Sequence, residues 1–261
     1  MAKQIIYMKK IFKKILKILG YKISKIKQEP TVTKNRNQHL SNLLSVLKAI
    51  EFNPNNVIDI GANRGYWTRD LLSIYPKANV TMIEPQSSLK SYFDDLLSEN
   101  PNINFLPIGV GSESGTFDFT ISDHDDSSTF LLNSTEAKER GFQQVKIPVS
   151  SLNELLKSGD IEMPDLVKID AEGLDMDVLN GATHLFGQTE IFLVEAAVNN
   201  HIFPNTFHKV INYMDENGYR LFDITDYNRP FKTKLLWLVE LVFVKKGGSV
   251  DQYRITDFSR K

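Results

Sequence analysis

The sequence predicts an α/β fold: a mostly parallel sheet with helices on both faces. Three observations predict it. Short apolar runs alternate with helix-period segments from residue 39 onward. The run VIDI, residues 57–60, passes through a glycine turn into a helical pattern. A second run, NVTMIEP at 79–85, also ends in an acid. Strands and helices that alternate in this way build βαβ units, whose parallel sheet needs cover on both faces.

The elements follow in chain order. HLSNLLSVLKAI (39–50) is helical and VIDI is a short buried strand. YWTRDLLSIY (66–75) is helical, NVTMIEP is the second strand, and SSLKSYFDDLLSEN (87–100) is helical again. INFLPIGV (103–110) reads as a third strand. Residues 115–152 break the alternation with period-two stretches around an acidic, serine-rich loop, which predicts a β insertion. DLVKID (165–170), a helix through DMDVLNGATHLF (175–186) and the strand TEIFLVEA (189–196) resume the pattern. YRLFDITDYNRP (219–230) and LLWLVELVFVKK (235–246) predict an antiparallel hairpin closing the sheet.

The 261 residues, 41% hydrophobic and 24% charged, suit a soluble globular chain, with residues 39–261 as its main domain. Cysteine is absent, so disulfides, thiolate catalysis and cysteine-bound zinc are excluded. Residues 1–28 carry nine lysines and no acid, whereas the rest has a net charge of −10. That acidic body argues against a nucleic-acid partner. The basic leader has apolar residues at helical spacing, from Met8 to Ile23, in runs too short to span a bilayer. It reads as a helix packed on its own domain, as an interfacial helix on an anionic cytoplasmic leaflet, or as a helix that docks on a partner protein. Met8 is an alternative start, and residues 28–38 read as a polar linker.

The chemistry concentrates after the first strand. Asp59 is followed by Gly61-Ala62-Asn63-Arg64-Gly65, a tight strand-to-helix turn of the kind that nucleotide cofactors use. Its glycines are spaced G-x-x-x-G, unlike the dinucleotide pattern, and no phosphate-cradling Gly-Lys-Ser/Thr follows. A carboxylate before the turn suits a cation better than a pyrophosphate, which favours S-adenosylmethionine over NAD. Glu84 ends the second strand 25 residues after Asp59 and can accept hydrogen bonds from two ribose hydroxyls.

These residues resemble the FkbM-type family of S-adenosylmethionine-dependent methyltransferases, over about residues 55–246. VIDIGANRGYWT, IEPQ, IGVGSESGTFDF, SSLNELL, DLVKIDAEGLDMDVLNGA and LVELVFVKK carry the resemblance. It implies a Rossmann-like sheet of order 3-2-1-4-5-7-6 with strand 7 antiparallel. It also implies O-methylation, often of sugar or polyketide hydroxyls. Cofactor contacts then fall on Asp59, Gly61, Ala62, Asn63, Gly65, Glu84, Pro85 and Val110. Ser127 and Ser128 become candidates for the acceptor's hydroxyls. Asp175, Met176 and the SSTF at 127–130 depart from the usual pattern.

In that strand order Asp59, Asp170 and Glu195 line one edge, with Glu172 two residues past Asp170. Asp170 is the first candidate for the base that takes the hydroxyl proton; Glu172, Glu195 and His201 are alternatives. Against this stands an ion pair of Asp170 with Lys168 on the same strand face, and for Glu172 a bond to backbone amides of the next helix. An Mg²⁺ ion on Asp170, Glu172, Glu195 and His201 is conceivable, but their spacing is no metal signature and none is expected. His124 reads as solvent-exposed, and His184 and His208 as packing or surface residues. Two other readings stay open: an NAD-dependent oxidoreductase, and a non-catalytic membrane-associated scaffold with a vestigial cofactor site.

Overall fold

The computed structural model describes residues 33–122, 128–200 and 203–255. The basic leader, His124, Ser127 and His201 lie outside the described residues. Helix α1 (Thr33–Ala49) begins inside the stretch expected as a linker. It leads to β1 (Asn56–Ile60), α2 (Tyr66–Ile74), β2 (Asn79–Ile83), a 3₁₀ turn (Ser87–Tyr92), α3 (Asp94–Glu99) and β3 (Ile103–Leu106). Strands β4 (Gly109–Val110) and β5 (Gly115–Ile121), helix α4 (Ser134–Glu139) and strand β6 (Gln143–Ser150) form the insertion region. Then come α5 (Leu152–Ser158), β7 (Leu166–Ile169), α6 (Asp175–Asn180), β8 (Ile191–Ala197), α7 (Phe207–Glu216), β9 (Tyr219–Asn228) and β10 (Leu238–Lys245).

Seven strands form one sheet in the order β3-β2-β1-β7-β8-β10-β9, with β10 antiparallel to both neighbours. This is the expected 3-2-1-4-5-7-6 order, and the fold is Rossmann-like α/β. Successive residues of the central strands face opposite sides, as strand periodicity requires. Ile58, Val167, Phe192 and Val194 pack under α5, α6 and α7. Val57, Leu166, Leu193 and Val242 pack under α1, α2 and α3. At the upper edge of that second face the apolar pattern gives way to Asp59, Lys168, Glu195 and Glu240, each two residues from one of those apolar positions. Burial on both faces explains why these strands read as continuous apolar runs.

Three elements differ from their expected extent. The third strand stops at Leu106, because Pro107 has no N–H for the ladder, and Gly109–Val110 pairs instead with β6 in a separate three-stranded sheet. The 87–100 segment breaks at Phe93, whose ring is fully buried. Helix α6 ends at Asn180, where Gly181 lies so close to the Gly111 carbonyl that a Cβ would overlap it. The insertion is antiparallel β5–β6 as expected, but it also carries α4, started by a capping box of Asn133 and Glu136. No helix among the described residues is long and apolar enough to cross a membrane.

Candidate active site

The glycine turn is shaped by contact with the neighbouring strand. Gly61 has φ +71°, and a Cβ there would overlap the carbonyl oxygen of Asp170, so β1 and β7 meet without a side chain between them. The N–H groups of Gly61 and Ala62 both donate to the Ile83 carbonyl, at 2.9 and 3.1 Å. Asn63 is also left-handed, at φ 46°, and Gly65 caps the start of α2 at φ 75°. Asn63 thereby turns its backbone N–H onto Glu84: Oε2 accepts from it at 3.0 Å, and Oε1 accepts from the Gln86 N–H at 2.9 Å. Burial raises the pKa of Glu84, and these backbone hydrogen bonds oppose the rise.

Gly61, Asn63, Glu84, Pro85 and Val110 line a cleft of about 650 Å³, together with Ile108, Phe130 and Asp170. Its walls are largely apolar, as expected of a site that holds a flat ring system with a few placed polar groups. Ser128 also lines this cleft, and its hydroxyl donates to Gln86 Oε1 at 3.1 Å.

Three of the expected contacts take other roles. Ala62 and Gly65 are buried within the turn and shape it, without lining the cleft. Asp59 is fully buried beneath the turn, where it accepts from the Thr68 hydroxyl at 2.6 Å and lies 3.3 Å from Lys168 Nζ. The expectation that Asp59 would meet a cationic ligand directly is therefore corrected. Its cation is Lys168, reached because β1 and β7 place the two residues side by side in register.

Lys168 is the hub of the edge. Its ammonium also lies 3.3 Å from Asp170 Oδ2 and donates to the Gly61 carbonyl at 3.0 Å. Burial opposes its charge, but Asp170, Asp59 and Glu240 outweigh burial and hold its pKa above that of an ordinary lysine. The expected Lys168–Asp170 pair thus exists, yet Asp170 keeps 37% of its side chain exposed. Asp170 is the one residue that lines both the apolar cleft and a second, polar one.

Glu195 lines the second cleft with Asp170, whereas Glu172 lines the first. Burial, then Asp170 and Asp175, raise the Glu195 pKa well above its ordinary value, which favours its protonated form. Glu172 adopts a left-handed backbone, φ 49°, and its carbonyl accepts from the Thr129 hydroxyl at 3.2 Å. Among the described residues no group of three or more His, Asp or Glu side chains is arranged to hold a metal ion.

Sequence reasoning missed three participants. Asp175 is fully buried, accepting from the Ala171 N–H at 3.2 Å and from Asn205 Nδ2 at 2.7 Å, so it braces the loop after Asp170. Glu240 lies opposite Glu195 on one side and Asp226 on the other. A lone acid inside LVELVF was the available signal. Trp67 lines the second cleft as well, and its helical position gave no hint of that.

The sheet order, the glycine turn and the acid at the end of β2 define a Rossmann-like α/β protein with a cofactor-sized cleft at its switch point. The model of the methyltransferase FkbM domain family matches residues 59–221, and the chain belongs to that family. Hexuronic acid methyltransferase AglP of Haloferax volcanii is 30% identical over 142 residues, 52% of this chain and 54% of that protein. 2-O-methyltransferase NoeI of Sinorhizobium fredii is 23% identical over 150 residues, 53% of this chain and 62% of that protein. The chain thus spans little more than half the length of these curated relatives. Among solved structures, magnesium protoporphyrin IX methyltransferase of Synechocystis superposes with a TM-score of 0.47 at 12% identity, covering 90% of this chain and 91% of that one.

Proposed function

We propose that the chain is an S-adenosylmethionine-dependent O-methyltransferase acting on a hydroxyl of a sugar, glycan or glycolipid precursor. Glu84 carries this reading. Both its oxygens are pinned by backbone N–H groups beside the glycine turn, which leaves further lone pairs for a vicinal diol. Membership of the family supports methyl transfer, and the relatives' names, one for a hexuronic acid and one for 2-O-methylation, support a sugar acceptor.

The residues fit the cofactor. Gly61 and Asn63 bring bare backbone to the cleft, Glu84 offers the ribose acceptor, and Pro85 and Val110 offer apolar walls. When bound, S-adenosylmethionine supplies an electrophilic methyl group. Asp170 is the proposed base: Lys168 holds one carboxylate oxygen, and the other is left to accept the proton of an acceptor hydroxyl. Lys168 therefore works by positioning, which fixes the attack geometry on which such a transfer depends. Glu172 and Glu195 surround this point, with His201 following in the chain.

Residues 39–261 are the proposed catalytic domain. The lysine-rich leader is proposed to rest on the anionic inner face of the cytoplasmic membrane, near lipid-linked acceptors. Liposome binding unchanged by deletion of residues 1–28 would sink that part.

Calorimetric titration of S-adenosylmethionine tests the cofactor. Binding by the intact protein and its loss in Glu84→Ala is the expected result; no binding by the intact protein overturns the reading. Asp170→Asn should keep the binding and lose the transfer.

A further inference from the structure

The second cleft is open to solvent, spans about 630 Å³ and shares Asp170 with the first. Its floor is the row Glu195–Glu240–Asp226, carboxylates placed opposite one another on β8, β10 and β9. Like charges in such positions would destabilise a sheet, and the raised pKa values of Glu195 and Glu240 lessen that repulsion. Among the described residues, and with Asp70 and Asp170, the lining has five carboxyl groups, two of them (Glu195 and Glu240) drawn by burial toward their neutral forms, against one ammonium, Lys168. That ammonium is already engaged by Asp59, Asp170 and the Gly61 carbonyl. It is not available to an anionic ligand.

Two buried polar atoms on this lining lack protein partners. Glu195 is only 9% exposed, and its Oε2 accepts and donates nothing; the indole N–H of Trp67 likewise has no acceptor. An unmatched buried polar group keeps its desolvation penalty, which a ligand hydroxyl would remove. Tyr66, also on this lining, is 64% exposed, and its ring and the Trp67 indole can offer apolar faces to the C–H face of a sugar.

We propose that this second cleft is the acceptor subsite and that it selects by charge: it takes an amino sugar best, a neutral sugar next, and turns away a sugar acid. The proposal deepens the methyltransferase reading and rests on it for the word acceptor. The shared Asp170 then faces the reacting hydroxyl, while Asp226 and Glu240 receive the ammonium and Glu195 and Trp67 the remaining hydroxyls. Glu195, whose burial and acidic neighbours favour the protonated form, can in that form donate to a sugar oxygen where an ionised carboxylate could only accept.

The test is direct binding without cofactor. The chain has two tryptophans, so Trp237→Phe leaves Trp67 as its single indole. Its fluorescence is followed at neutral pH during titration with the methyl glycosides of glucosamine, glucose and glucuronic acid. The glucosaminide should bind about tenfold tighter than the glucoside, a difference of ~1.4 kcal/mol, and the glucuronide should not saturate. Asp226→Asn with Glu240→Gln should erase most of the preference. Should Trp237→Phe fail to fold, fluorine-labelled tryptophan in the unaltered chain resolves the two indoles by NMR. Glucuronide binding at least as tight as glucosaminide, or no response of Trp67 to any of the three, overturns the proposal. Calorimetry with S-adenosylmethionine on the same protein separates the failures. Sugar binding without cofactor binding strikes at the reaction; cofactor binding without sugar binding strikes at this cleft.

Discussion

The two clefts share Asp170 and little else. In the first, the polar groups are satisfied by the chain: both oxygens of Glu84 accept backbone N–H groups, and the Ser128 hydroxyl donates to Gln86. In the second, carboxylates face each other across three strands, and Glu195 and Trp67 keep unpartnered atoms. A site preorganised by backbone geometry tolerates little change of shape. A site preorganised by charge tolerates shape changes but depends on its counter-ion, here Lys168.

The strongest way to break that contrast is Lys168→Met. It strands Asp59 and Asp170 together, and removing one partner of a buried ion pair costs ~3–5 kcal/mol. Urea unfolding should record a loss of that order; a loss below ~1 kcal/mol would mean that water already screens the cluster.

Gly61→Ala attacks the first cleft instead. The positive φ and the overlap with the Asp170 carbonyl together should cost ~2–3 kcal/mol, seen as a lower Tm. S-adenosylmethionine affinity should fall with it, and an unchanged Tm would show that β1 and β7 can separate at no cost.

Glu84→Gln sharpens the comparison, because it keeps the shape and removes the charge. S-adenosylmethionine should bind about tenfold more weakly, ~1.4 kcal/mol, with Tm little altered. Equal affinity would take the ribose role away from Glu84.

A smaller effect belongs to pH. Burial pushes Glu240 from 4.5 up to about 7, so the folded chain holds this proton more tightly than the unfolded one. Its contribution to stability is full below about pH 4.5 and is lost as pH rises through about 7. Glu240→Gln should therefore flatten part of the fall in Tm across that window. An identical pH profile in the variant would place Glu240 in open solvent. The smallest change is expected outside both clefts. Arg69→Ala breaks the exposed pair with Asp95, which solvent screens, and should leave Tm nearly unchanged, with neither ligand affected.

Much of this molecule is legible in the sequence. Apolar runs that end in acids announce a sheet buried on both faces, and the turn from Asp59 to Gly65 announces where its ligand edge lies. Glu84 is legible because it ends the strand next to the one that enters the glycine turn, where a carboxylate can accept from two ribose hydroxyls. Other features were hidden for physical reasons. The third strand looked continuous because a single proline, Pro107, interrupts an otherwise apolar run. Asp59 looked like a ligand group because sequence places it beside the turn but does not say which face it takes.

The sequence by itself determined the order of strands and helices and the residue types at the strand ends, since periodicity and turn chemistry are local properties. Only the tertiary structure decided which acids meet. The β1–β7 register set Lys168 against Asp59, and the β8–β10–β9 register lined up Glu195, Glu240 and Asp226. Register is a relation between distant segments, set by how whole faces pack, and no single stretch of the chain contains it.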